Sequence, residues 1–176
     1  MVRHRSIHAA GVLCAVGIAM LLIVMPSRAA RAEPSPVPIA IADFEYTDTS
    51  GEVQDRAEQH KALLEAFMAA MRGDLGKSGK HRVVLLDCRD DSCSSGRSDP
   101  SELSEGARRA GARLLLFAGV HKVSTLIQKA RIEGIDVEKD RLVYDRAFSF
   151  RGDDEDAWRH AEAFVVRDLD QQDFSR

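Results

Sequence analysis

Apolar residues recur along this chain with two different spacings, and each change of spacing marks a predicted element. Residues 37–44 form a short apolar run, VPIAIADF, as expected for a buried strand. The polar segment Glu45–Glu52 is predicted to be a loop, because Thr, Asp, Ser and Gly in succession favour turns. From about Val53 to Lys77, apolar residues recur every three or four positions, which predicts an amphipathic helix. Its apolar positions are Leu64, Phe67, Met68, Met71 and Leu75.

The middle of the chain predicts two further strands with a helix between them. Residues His81–Leu86 form a second short apolar segment, HRVVLL. A helix is predicted to begin near Pro100, which suits its first position, and to end at Gly111. Residues Ala112–Ser124 begin as a continuous apolar run, which is typical of a central strand buried on both faces.

Two alternating segments and a helix complete the pattern. Residues Leu126–Val137 and Arg141–Phe150 alternate between apolar and polar positions, and Glu138–Asp140 is predicted to join them as a hairpin turn. The alternation changes phase at Gly134, which indicates a β-bulge. A last helix is predicted to begin near Asp153, whose carboxylate would cap it. The apolar face of this helix contains Ala157, Ala161, Phe164 and Val165, with Trp158 at one edge.

The predicted order β-α-β-α-β-β-β-α is that of an α/β fold, a single domain of two or three layers with a mixed sheet. We expect a Pro-rich leader at residues 33–38, the domain at 39–170 and a short tail at 171–176. About 144 residues follow the first 32, which is long enough for one self-sufficient core. The side chains predicted to meet in that core are Leu64, Phe67, Met71, Leu115 and Phe164.

The first 32 residues carry four arginines and no acidic residue, and they have the three parts of a secretory signal peptide. A basic start around Arg3 precedes the apolar run Ala9–Met25, and Ala30-Arg31-Ala32 supplies a small-x-small cleavage pattern before Glu33. We therefore predict cleavage, a periplasmic protein and no membrane span in the mature chain. The alternative is a retained anchor, since about 17 apolar residues is the shortest stretch that spans a bilayer.

The charge of the chain argues against a nucleic-acid partner. Lys and Arg number 25 and Asp and Glu 28 in 176 residues, a formal net charge of -3 at pH 7. Without residues 1–32 the balance is 21 against 28, or -7, whereas phosphate binding requires a clustered basic surface. The glycines form neither Gly-x-Gly-x-x-Gly nor Gly-x-x-x-x-Gly-Lys. We predict neither nucleic acid nor a cofactor among the ligands.

Cys88 and Cys93 are the cysteines that remain once the signal, with Cys14, has been removed. An even number of cysteines in an oxidising compartment predicts a local disulfide. A zinc site with His81 or His60 as a further ligand is the alternative, although two cysteines without a second paired motif are a weak zinc signal.

The acidic segment after the first predicted strand offers oxygen ligands for a metal ion or a solute. Asp43, Glu45 and Asp48 lie close together, but their spacing does not match an EF-hand loop, so a solvated loop is the simpler interpretation. Asp43 follows a buried strand at its carboxyl end, where α/β sheets place their ligand sites. Its alternative role is to cap the loop by accepting backbone hydrogen bonds.

His121, Lys122 and Ser124 lie at the end of the predicted central strand and invite comparison with a hydrolase, with Asp43 orienting the histidine. Two observations oppose that hypothesis. Ser124 lacks the sharp Gly-x-Ser-x-Gly turn that usually presents a nucleophile. In an extended strand, moreover, His121 and Lys122 point to opposite faces. We predict weak binding roles and no catalytic residue.

Three segments carry a resemblance to known proteins: the strand Ile39–Phe44 that ends in Asp-Phe, the strand entry Ala110–Leu116 (AGARLLL), and Ile135–Val143 (IDVEKDRLV). With them, the mature chain resembles the small envelope domains of the TolB amino-terminal, CsgG, FlgO and LpoB type. It is more closely similar to a family of uncharacterised alphaproteobacterial periplasmic proteins. Several such domains are lipoproteins, and Cys14 after Leu13 departs from a lipid-attachment site.

The resemblance implies a non-catalytic accessory protein that binds another protein of the cell envelope. The alternative function is a small periplasmic enzyme, or a metal- or solute-binding module, that uses the Asp43 loop and His121. We expect the contact surface at the exposed sheet edge or near Asp43–Gly51 and His121–Ser124.

Overall fold

The computed structural model describes residues 35–54, 56–88 and 93–174. The predicted signal at 1–32 lies outside the described residues. The strands are β1 (Val37–Ile41), β2 (Glu45–Asp48), β3 (His81–Val84), β4 (Leu114–Lys122), β5 (Ile127–Asp136) and β6 (Arg141–Arg151), and the helices are α1 (Ala57–Lys77), α2 (Pro100–Arg109) and α3 (Glu155–Asp170). The predicted α/β class and element order are confirmed, with one additional strand.

The strands form one mixed sheet in the order β3-β1-β4-β5-β6. β1 lies parallel to β3 and β4, whereas β4, β5 and β6 are antiparallel neighbours. The continuous apolar run of β4 places it at the centre, as predicted. The irregularity predicted at Gly134 is present, because the β5–β6 register shifts between Gly134 and Ile135, but the extra residue is Val143 of β6 and β5 keeps its phase.

The additional strand is β2, and it corrects the prediction of a loop over Glu45–Glu52. β1 pairs with Leu114–Leu116 of β4, and β2 pairs in parallel with Gly119–Lys122 farther along the same edge. β5 pairs with the other edge of Gly119–Lys122, so without β2 only the backbone groups on this edge of β4 would have no partner strand. Satisfying those groups outweighs the low strand propensity of acidic residues.

α1 and α3 pack against one face of the sheet, and we call this the helix-side face. Phe67 and Met71 of α1 and Val165 of α3 pack there against alternate residues of β1 and β4. α1 begins at Ala57, four residues later than predicted. The core prediction holds for Leu64, Phe67 and Met71, which are all buried.

α2 lies on the opposite face and covers only β1, β3 and the beginning of β4, so the domain has three layers. Leu103 and Ala107 of α2 pack against Ala40 and Leu115. The prediction that Leu115 shares the core of α1 is therefore wrong, because odd-numbered residues of β4 face away from that helix. Asp99 caps α2 by accepting a hydrogen bond from the Ser101 N–H, 2.8 Å.

α3 corrects two further predictions. Its capping residue is Asp154, which accepts from the Ala157 N–H at 2.9 Å, and not Asp153. Phe164 remains 40% exposed, whereas Trp158 is buried in the core. Trp158 fills that position because it meets Phe67 and Phe150 edge to face. In residues 35–54, 56–88 and 93–174, no helix combines the length and apolar character that a membrane crossing requires.

Candidate functional site

Lys122 is fully buried at the carboxyl end of β4, on the helix-side face. Its position follows from strand alternation, since it continues the series Leu114, Leu116, Ala118 and Val120. Gln128 of β5 lies opposite Lys122 in register and is also fully buried. Two polar side chains thus occupy positions that the pattern reserves for core residues.

The Lys122 ammonium has three partners. Nζ lies 2.7 Å from Glu52 Oε2, 2.7 Å from Asp153 Oδ2 and 3.4 Å from His60 Nε2. We call Lys122, Glu52, His60, Asp153 and Gln128 the Lys122 cluster. Burial of the ammonium is tolerated because two carboxylates neutralise and hydrogen-bond it.

Asp153 joins the cluster to the rest of the domain. His60 Nε2 lies 2.9 Å from both of its carboxylate oxygens, and Gln128 Nε2 donates to Oδ1 at 3.1 Å. Arg56, at the N-terminus of α1, also reaches Oδ2 at 3.5 Å. The carboxylate therefore ties the start of α1 to β5 and to the loop before α3. This explains why Asp153 does not cap that helix.

The electrostatics of the cluster favour the ionised forms. Burial alone would raise the pKa of Asp153, but hydrogen bonds from Lys122 and His60 outweigh it and hold the pKa below its ordinary value. Burial would likewise lower the pKa of Lys122, yet hydrogen bonds to Asp153 and Glu52 raise it. Lys122 thus remains protonated and cannot act as a nucleophile, since its lone pair carries a proton.

Tyr46 covers one side of the Lys122 cluster. Its ring stacks on His60 with centroids 4.9 Å apart. Burial, and then the charges of Asp48 and Asp153, raise the pKa of its hydroxyl, so that it stays a neutral phenol. A hollow of about 620 Å³ lies outside it, lined in part by Asp48, Arg56 and Lys61. Among the described residues, no group of three His, Cys, Asp or Glu side chains is arranged to hold a metal ion.

The predicted acidic residues Asp43, Glu45 and Asp48 are separated by strand alternation. Asp43 accepts a hydrogen bond from Arg72 Nη2 at 3.0 Å. Asp48 Oδ1 accepts from the Ser50 N–H at 2.8 Å, closing a local turn. Because Glu45 and Asp48 are three residues apart in β2, they point to opposite faces and do not converge on one ligand.

The predicted residues His121 and Ser124 also have separate partners. His121 Nε2 lies 2.6 Å from Thr49 Oγ1, on the face opposite to Lys122 as expected. Ser124 Oγ accepts from the Ile127 N–H at 3.2 Å and thereby closes the β4–β5 turn. Asp43 bonds to Arg72 instead of His121. These separate contacts do not assemble Asp43, His121 and Ser124 into a triad.

Cys88 and Cys93 form the predicted disulfide, with Cα atoms 5.6 Å apart. The disulfide closes the segment that leads from β3 towards α2. Backbone hydrogen bonds of Asp43 with Cys93 and Ser95 attach this segment to the end of β1. His60 and His81, the alternative zinc partners, lie instead in the Lys122 cluster and beside Asp170.

The half of the second sheet face that α2 does not cover is exposed, and we call it the open face. Its floor is Gly119 and Ala147, and its rim includes Thr47, His121 and Lys129. These residues border a shallow hollow of about 620 Å³. An added Cβ at Gly119 would meet nothing within 4 Å, which shows how open the hollow is.

Sequence reasoning missed the Lys122 cluster as a unit. Lys122 and Gln128 both continue the buried phase of their strands, so period-two counting alone would have placed them inside. His60, Glu52 and Asp153 carried no such signal, because their partners in the cluster lie between 25 and 93 positions away in sequence.

Comparison with known proteins supplies a family. The model of family DUF3280, described as "Protein of unknown function (DUF2380)", matches residues 37–169. No curated protein matches the chain in sequence.

Solved structures with a similar fold include hypothetical protein CT253 from Chlamydia trachomatis, with 11% identity and a TM-score of 0.50 over 77% of this chain and 96% of that chain. A putative neuraminyllactose-binding hemagglutinin homolog from Helicobacter pylori has 9% identity and a TM-score of 0.50 over 78% and 85%. The LpoB C-terminal domain from Salmonella enterica has 13% identity and a TM-score of 0.47 over 68% and 86%. At such identities the first two comparisons indicate a shared fold alone.

Proposed function

Because this chain belongs to the DUF3280 family of proteins of unknown function, we propose its function from the structure: a non-catalytic accessory protein that binds another cell-envelope protein. The open face is the proposed contact surface. It lies near the carboxyl ends of β2 and β4 and shares Thr47 and His121 with the segments Asp43–Gly51 and His121–Ser124 named in the sequence analysis.

The observation that carries this proposal is the unequal covering of the sheet. Two helices bury the helix-side face. On the other face, α2 covers only part of the sheet, and a hollow lies above Gly119. Exposed strand residues around a shallow hollow suit contact with a protein surface, because a folded partner can fill the hollow without any change in the core.

The chemistry of the remaining polar groups supports association over catalysis. Lys122 and Asp153 are held in ion pairs that keep both charged and buried. His121 is hydrogen-bonded to Thr49, and the described contacts give it no acidic partner that would orient it as a base.

Export to the envelope is part of the proposal and is supported by the sequence of residues 1–32. Its basic, apolar and small-residue parts are those of a signal peptide. N-terminal sequencing of the protein isolated from its cells is expected to begin at Glu33 or within a few residues of it. A cytosolic product that starts at Met1 or Val2 would contradict export.

Photocrosslinking in whole cells tests the contact surface. A photoreactive amino acid replaces Lys129 on the open face and, as a control, Ala66 on the exposed side of α1. We expect Lys129, and not Ala66, to give a crosslink to one envelope protein. Gly119→Trp should fill the hollow and abolish it, while Gly73→Trp, at a helical glycine with equal space around it, should leave it intact.

Two outcomes would contradict the proposal. The first is equal crosslinking from Lys129 and Ala66, or none from either position. The second is turnover of a generic ester or phosphate substrate by the purified protein, with loss of turnover in Asp43→Ala or His121→Ala. That result would favour the enzyme hypothesis.

A further inference from the structure

β6 ends the sheet on one side and is its longest strand, with 11 residues. Its hydrogen-bonding pattern can be read from the end of the ladder, where the Gly152 N–H donates to the Leu126 carbonyl at 2.9 Å. In an antiparallel pair such bonded positions recur at every second residue. Between Tyr144 and Arg151, on one side of the register shift, even-numbered residues of β6 therefore bond to β5, and the odd-numbered ones direct their N–H and C=O groups outwards.

The outward groups belong to Asp145, Ala147, Ser149 and Arg151. In the described part of the chain, no other strand lies against them. Proteins usually protect a long edge of this kind, because it is a template for pairing with another chain. The centre of this edge, residues 147–150, is uncharged, and its sequence is AFSF.

We propose that β6 pairs with β6 of a second copy of this chain in antiparallel orientation, forming a twofold dimer with one continuous sheet. This inference is independent of the proposed binding of an envelope protein. A twofold axis through Phe148 places Ala147 opposite Ser149 of the other copy. Each of these residues then meets a partner whose N–H and C=O also point outwards, so the ladder hydrogen bonds can form.

Charge complementarity favours this register and favours a second copy of the chain as the partner of β6. Within its own copy, Asp145 accepts hydrogen bonds from Arg131 Nε and Nη2 at 2.9 and 2.6 Å. With the axis at Phe148, Arg151 of the other copy lies directly opposite this carboxylate, giving two further opposite-charge contacts on one face. With the axis at Ala147, Asp145 would instead face Ser149. With the axis at residue 146, Arg146 of one copy would face Arg146 of the other, which is a like-charge pair.

The aromatic residues beside this edge give the dimer an apolar component. Phe148 lies 5.2 Å, ring centroid to ring centroid, from Phe164, which is 40% exposed. A groove of about 520 Å³ runs between β6 and α3 and includes both rings in its lining. In the proposed register the two Phe148 side chains form a non-hydrogen-bonded pair, in which side chains approach closely. The second copy would thus cover the groove.

Sedimentation of the purified native chain over a wide concentration range tests the dimer. Wild type is expected to dimerise, and Ala147→Pro is expected to be monomeric, because proline removes an outward N–H that the monomer does not use. Ala147→Ser keeps the N–H and should dimerise like wild type. Circular dichroism of Ala147→Pro should retain the spectrum of the wild-type fold.

Charge reversal tests the register. Asp145→Arg and Arg151→Asp each place like charges opposite one another, and each is expected to weaken self-association by about tenfold. A mixture of the two variants restores both opposite-charge pairs, so the heterodimer should form with near wild-type affinity. Monomeric wild type at every concentration, or a mixture no tighter than either variant alone, would overturn the proposal. If wild type is monomeric, the edge of β6 would remain available for pairing with a strand of a different protein.

Discussion

The two faces of β4 differ in burial and in the partners of their polar side chains, as the neighbours Lys122 and His121 show. Lys122 enters the layer between sheet and helices, where it is fully buried and neutralised by two carboxylates. His121, one position earlier, points to the open face, where its Nε2 lies 2.6 Å from Thr49 Oγ1. A charged residue on the helix-side face must therefore recruit partners from distant segments, whereas His121 on the open face has a single hydroxyl as its hydrogen-bond partner.

This contrast separates the Lys122 cluster, which stabilises the fold, from the open face, which is the proposed contact surface. Residues of the Lys122 cluster hold β4, β5, α1 and the loop before α3 together at one end of the domain. Replacing a buried ion pair by apolar residues can be neutral, but removing one partner leaves an uncompensated charge, which is costly. Substitutions on the helix-side face should therefore change the free energy of unfolding more than substitutions on the open face.

The largest effect is expected for Lys122→Met. The variant keeps most of the side-chain volume but leaves Asp153 and Glu52 without the ammonium, at a cost of roughly 3–5 kcal/mol. Urea unfolding followed by circular dichroism measures it. The matched control is His121→Ala on the opposite face, for which we expect a loss of about 1 kcal/mol or less.

Equal losses for Lys122→Met and His121→Ala would contradict the contrast between the faces. The double variant Lys122→Met/Asp153→Asn provides a second measurement. It removes both charges of one pair, so its loss should be smaller than the sum of the two single losses.

How much of the structure the sequence predicts depends on whether a feature is set by local periodicity or by contacts between distant segments. Periodicity within single elements predicts the central strand, the irregularity at Gly134 and the buried face of α1. Neighbouring cysteines predict their own disulfide. In contrast, β2 exists because of a distant strand edge, and Asp153 leaves its expected capping role for partners on other elements. Such long-range competition leaves no local periodic signal.

A smaller effect is expected from the disulfide on the α2 side of the sheet. The double variant Cys88→Ser/Cys93→Ser opens a six-residue ring, and the chain-entropy model assigns it about 2 kcal/mol. Urea unfolding of the oxidised wild type against the double variant measures the difference. Addition of a reductant to wild type should reproduce the loss, and unchanged stability in both experiments would show that the loop is held by Asp43 alone.

His81 offers a pH-dependent comparison within the helix-side face. Its ring is buried, and burial lowers its pKa from the ordinary value of 6.5, although nearby Asp170 acts in the opposite direction. The unfolded chain therefore binds this proton more readily than the folded chain. Stability from this group is full above about pH 6.5 and is lost as the pH falls below it.

His81→Gln should remove this part of the pH dependence. We expect the difference in unfolding free energy between pH 8 and pH 5 to be smaller in the variant than in wild type. Urea unfolding at a series of pH values measures the slope. A variant with the same slope as wild type would assign the acid sensitivity to other groups.

The smallest expected effects come from two glycines on adjacent strands, and they differ in sign. At Gly119 on the open face, an added Cβ meets nothing within 4 Å. Its backbone is not among the described positions with positive φ, so alanine fits without strain. Gly119→Ala should raise stability by about 0.4–1 kcal/mol, chiefly because the unfolded chain loses conformational freedom.

At Gly134, the same change should lower stability, because the added Cβ would lie 3.0 Å from Tyr144 Cβ and 3.1 Å from Leu116 Cδ2. Both neighbours belong to the packed helix-side core, so neither can move without disturbing it. The two variants add an identical methyl group to antiparallel neighbours, and only the covering of the face differs. Thermal unfolding of both proteins beside wild type should therefore show melting temperatures displaced in opposite directions. A destabilised Gly119→Ala would mean that the hollow is already filled, and a stabilised Gly134→Ala would mean that the helix-side layer packs more loosely than its buried side chains indicate.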